Sequence, residues 1–141
     1  MNIFRKFLVF LFLLTPSVSY SQSISIDAGY PTHVATFFGY AKIRVLGTFS
    51  YPSNAMPPGQ VLITYKLGSN PQQNVSADYD SVSKKFGKWS SGSIVPLEFP
   101  APGKGTVSIV ASGVYQLPNP NPPPTTISTT IASSSYSVTV P

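Results

Sequence analysis

Cysteine is absent from the 141 residues, which removes disulfide staples, thiol nucleophiles and thiolate metal ligands together. Histidine occurs once, at His33, and Asp and Glu together number four, so little is left for acid–base chemistry. Charged residues make up 9% of the chain, well under the roughly 25% usual for soluble domains. Hydrophobic residues reach 42%, unlike disordered chains, which pair low hydrophobicity with high net charge. Also missing is any apolar period of 3.6 sustained over a helical length. Fifteen prolines and ten glycines punctuate the chain instead.

Residues 1–21 read as a secretory signal peptide. Arg5 and Lys6 precede an unbroken apolar run from Phe7 to Leu14. Pro16 follows, and Ser19 and Ser21 place small residues at the −3 and −1 positions before Gln22. A spanning helix needs about 20 apolar residues, more than twice this run, and no later stretch is long enough. Loss of Arg5 and Lys6 lowers the net charge from +5 to +3. The high isoelectric point therefore overstates the case for an anionic partner, and nucleic acid is not expected.

Residues 22–141 carry short runs rich in β-branched and aromatic residues, bounded by Gly, Pro, Asn and Ser, the pattern of strands and turns. Ser23–Ile26 alternates as an entry strand, and His33–Phe38 forms a second extended piece. Ala41–Phe49 places Ile43 and Val45 opposite Lys42, Arg44 and Leu46. Gln60–Leu67 aligns Val61, Ile63, Tyr65 and Leu67, and Asn74–Tyr79 follows a turn at Gly68–Pro71. Asp80–Lys85 turns, and Phe86–Phe99 holds one or two strands with Trp89 facing inward. Thr106–Tyr115 aligns Val107, Ile109 and Ala111, and the last run ends in Tyr136, Val138 and Val140. Residues 116–124, with five prolines, cannot form a central strand. The expectation is an all-β antiparallel sandwich of seven or eight strands over residues 22–141.

Several of these runs resemble one family. Ile43–Thr48 and Val61–Leu67 are similar to the second and third strands of bacterial immunoglobulin-like or fibronectin type III-like domains. Gly87-Lys88-Trp89-Ser90 resembles their Gly-x-Trp, Pro102–Ser112 their Pro-Gly turn and penultimate strand, and Ser135–Val140 their final strand. The resemblance covers residues 41–140. It implies an immunoglobulin-like sandwich of the kind used by secreted and surface proteins as spacers, adhesins or glycan-binding accessories. The cysteine pair and third-strand Trp of antibody domains are lacking.

Weighed singly, the polar constellations point away from catalysis. A triad on His33 would need an activated serine and a nearby acid, and no Gly-x-Ser-x-Gly elbow exists. Asp78 and Asp80, with Asn74 nearby, have oxygen ligands for calcium but suit turn formation better. Asp27 and Glu98 are the one pair to consider for glycoside hydrolysis, and nothing in their spacing brings them together. Lys84, Lys85 and Lys88 read as a solvated turn face, and Asn74-Val75-Ser76 matches a glycosylation sequon. No metal or cofactor is expected.

The aromatics say more. Tyr30, Phe37, Phe38 and Tyr40 fall within eleven residues, more large rings than one edge strand buries, and form the candidate binding patch. The expected function is a secreted, extracellular or cell-surface binding or adhesion module without enzymatic activity, meeting a protein or glycan surface through aromatics and sheet edges. The alternative is a homo-oligomeric, pilus-like fibre in which Ser23–Ala28 completes a neighbour's sheet by strand addition.

Overall fold

The computed structural model describes residues 23–51, 55, 60–118 and 127–141. The expected signal peptide, residues 1–21, and most of the proline-rich loop, residues 119–124, lie outside the described residues. Every regular element among those described is a strand. In chain order these are β1 (Ser23–Ile26), β2 (Thr32–Ala35), β3 (Ala41–Val45), β4 (Gly47–Ser50), β5 (Gln60–Leu67), β6 (Gln73–Asp80), β7 (Lys85–Ser90), β8 (Ser93–Val95), β9 (Leu97–Pro100), β10 (Gly105–Pro118) and β11 (Ile127–Val140). All pairings are antiparallel.

The larger sheet runs β1-β4-β7-β6-β5-β10-β11, with β8 paired to β7; the smaller runs β2-β3-β9. The larger sheet curls until its edge strands meet. The Tyr136 hydroxyl on β11 accepts from the Ile26 amide at 2.9 Å, and Ser134 Oγ donates to the Ile24 carbonyl at 2.6 Å. The architecture is therefore all-β and antiparallel, with the main sheet close to a barrel.

One continuous alternation builds the corner between the sheets. Ile43, Val45, Gly47 and Phe49 are all buried, so the side-chain period of two runs unbroken from β3 into β4. The pairing partners change at Leu46: β3 lies between β2 and β9, β4 between β1 and β7. The single strand expected over Ala41–Phe49 is thus divided between two sheets. Gly47 permits this, because a Cβ there would meet the Phe86 ring and the Ser25 carbonyl oxygen.

The core is what the alternation predicts. Val61, Ile63, Val107, Ile109 and Ala111 are fully buried, with Phe49, Phe86, Ile43 and Val45. Strands outnumber the expected seven or eight because pairing also breaks at Ser91–Gly92 and Pro96. Trp89, expected inward, is half exposed: β7 pairs with the short β8 there rather than with a sheet that covers it. β10 extends past Tyr115 to Pro118, pairing with Ile127.

Candidate functional site

The turn joining β2 to β3 gathers the exposed aromatics. The Thr36 amide donates to the Tyr40 carbonyl at 2.7 Å and the Gly39 amide to the Thr36 carbonyl at 3.0 Å. Gly39 takes φ of +79°, a conformation open to glycine. The extended piece expected through Phe38 stops at Ala35, because this reversal takes Phe37 and Phe38 out of the ladder. Phe37 is 98% exposed, Phe38 83% and Tyr40 75%. The two phenylalanine rings stand edge to face, 5.8 Å between centroids and 89° between planes. Tyr30 differs: it is half-buried and packs against the core.

Charged and apolar groups surround the base of this turn. In the small sheet, Val34, Lys42 and Pro100 form one cross-strand row, and Thr32, Arg44 and Glu98 the next. Their neighbours Ile43, Val45, Leu97 and Phe99 point into the core, so these rows face outward. Arg44 Nε approaches Glu98 Oε1 at 3.1 Å as an ion pair without hydrogen-bond alignment, and Lys42 Nζ lies 4.0 Å from Glu98. A groove of about 370 Å³ runs beside Tyr40, Lys42, Pro100 and Lys104, ending at Val140 and Pro141. A second, of about 420 Å³, is lined by Lys42, Arg44, Lys88, Val95 and Glu98. Lys42 borders both.

The remaining candidates are dispersed. His33 is exposed on β2. Asp27 accepts from Thr48 Oγ1 at 2.8 Å and from Lys85 Nζ, which also donates to Thr48 at 2.9 Å. Glu98 faces Arg44 and Lys42, so the two acids considered as a pair serve different cations on different sheets. Asp78 accepts from the Trp89 amide at 2.8 Å. Asp80 accepts from the Val82 and Ser83 amides and the Ser83 hydroxyl. The Ser83 hydroxyl, then the Val82 amide, hold its carboxyl below the ordinary range. Asn74 accepts from Thr64. No group of three or more metal-ligating side chains occurs among the described residues.

The three lysines of the sequence cluster separate as well. Lys84 sits 4.4 Å over the Tyr51 ring, Lys85 pairs with Asp27, and Lys88 borders the second groove. Tyr51, Tyr79 and Tyr115 join Phe49 in one aromatic cluster. Burial, then the Tyr51 hydroxyl, pushes the Tyr79 phenol above its usual range, and its proton is donated to the Phe49 carbonyl at 2.7 Å.

No helix among the described residues is long and apolar enough to cross a membrane. Compared with family models, with curated proteins and with solved structures, the chain has no significant match in any of the three.

Proposed function

We propose that this protein is a secreted binding or adhesion module without enzymatic activity, built on an immunoglobulin-like sandwich and engaging its partner through the β2–β3 turn. The observation that carries the reading is the near-complete exposure of Phe37 and Phe38 at that turn, since single exposed apolar residues are ordinary but clustered ones mark interaction sites. Two antiparallel sheets over one core support the sandwich; the meeting of β1 with β11 pulls it towards a barrel. The apolar run at Phe7–Leu14 supports export, with the extracellular space or cell surface as destination. Replacing Phe37 and Phe38 together by Ser tests the reading. Binding to cells, envelope fractions or glycan arrays should fall while the fold, read by circular dichroism, stays; unchanged binding defeats the proposal.

A fibre subunit is the second reading, favoured by β1 itself. Four residues long, it has a backbone ladder on one side only and is fastened to β11 by side chains. A strand so placed suits exchange between copies. Light scattering on the exported chain decides: concentration-dependent polymers support exchange, and a monomer at high concentration ends it.

A further inference from the structure

We infer that the partner of the β2–β3 turn is the surface of an anionic lipid bilayer, into which Phe37 and Phe38 insert while a cationic collar meets the headgroups. This rests on the proposed binding role of the turn and names the chemistry it binds.

Charge placement is the first argument. Lys42, Arg44, Lys88 and Lys104 line the two adjoining grooves, with Glu98 as their one side-chain acid. The other three lysines after residue 21, Lys66, Lys84 and Lys85, are matched in number by Asp27, Asp78 and Asp80. By count the side-chain surplus of residues 22–141 therefore lies along the two grooves: Lys42 and Lys104 border the one that includes Gly39 and Tyr40, while Arg44 and Lys88 line the second, further from the turn. Two lysines stand beside the turn and two further cations on the adjoining groove, and basic groups close to a membrane surface attract anionic lipids.

Ring chemistry is the second. Phe37 and Phe38 carry no polar tip, stand perpendicular to each other and project from a tight reversal. Rings that bind sugars need an accessible flat face with polar groups around it, whereas a protruding pair of phenylalanines has its favourable environment among acyl chains. Tyr40, at the base of the turn, has the apolar body and polar tip typical of the membrane interface. The long stems of Lys42 and Lys104 allow their ammonium groups to reach phosphate while the rings are buried.

The test uses the exported chain and vesicles of phosphatidylcholine alone or mixed equally with phosphatidylglycerol. Cosedimentation should favour the anionic vesicles and weaken at high salt. The Phe37→Ser/Phe38→Ser double variant should lower the bound fraction about tenfold. Lys88→Glu/Lys104→Glu, which touches neither ion pair of Glu98, should erase the preference for anionic lipid. In a Trp89→Phe background, Phe38→Trp should be quenched by brominated acyl chains. Equal binding by wild type and the phenylalanine variant, or absence of quenching, overturns the inference. Binding to glycans or cell proteins through Phe37 and Phe38 without vesicle binding overturns it too, yet leaves the adhesion reading standing. Loss of both would end the two together.

Discussion

Phe86 occupies the space that any side chain on Gly47 would need: a Cβ at Gly47 would lie within 2.1 Å of the ring's Cζ and 2.5 Å of the Ser25 carbonyl oxygen. The close approach fixes where the chain passes from the small sheet to the large one. Gly47→Ala should therefore destabilise the protein by roughly 1–3 kcal/mol through overpacking. Urea denaturation followed by circular dichroism measures it, and a loss below about 0.5 kcal/mol, the level of an ordinary surface change, would show that the corner yields easily.

Tyr136 closes the main sheet through its hydroxyl oxygen, which accepts from the Ile26 amide. Tyr136→Phe leaves that amide without its partner and should cost about 1 kcal/mol. Hydrogen exchange at Ile26 should accelerate by more than exchange at Ile63 in the core, and equal acceleration at both would mean that the seam has no separate stability.

The Asp27–Lys85 ion pair, joined through Thr48, straps the end of β1 to β7. Both side chains are partly exposed, so a modest coupling of about 0.5–1 kcal/mol is expected. A double-mutant cycle with Asp27→Asn and Lys85→Met measures it, with coupling that declines as salt is added.

Asp80 gives a pH signature. Its carboxyl is held below the usual value by the Ser83 hydroxyl and the Val82 amide. A depressed folded value means the contribution is present above the ordinary carboxylate range and is lost as pH falls through the folded value. Amide shifts of Val82 and Ser83 should titrate together in that acid window, and Asp80→Asn should remove the transition.

Strand alternation was legible wherever one face is buried. Val61–Ile63–Tyr65 and Val107–Ile109–Ala111 have the burial their spacing predicts, because a period of two leaves a half-buried strand no other register. What spacing could not reveal is partner choice. Nothing local in Ile43–Phe49 says that its halves pair in different sheets, since that depends on Phe86, about forty residues onward and seated against Gly47. Trp89 failed for the same reason: its type favours burial, but no second layer covers β7 there. All four candidate aromatics were legible as an excess of rings over available core; Phe37, Phe38 and Tyr40 are exposed, while Tyr30 packs against the core. The basic strip was not legible, because Lys42, Arg44, Lys88 and Lys104 are scattered in sequence and come to line two adjoining grooves only after folding.

The two hydrogen bonds between β1 and β11 join residues 110 positions apart. Closure on that scale needs both β1 and β11, so no fragment lacking either strand can complete the ring. A seam between segments so far apart in the chain is expected to form after the local hairpins β5–β6 and β10–β11, whose strands pair with short separations.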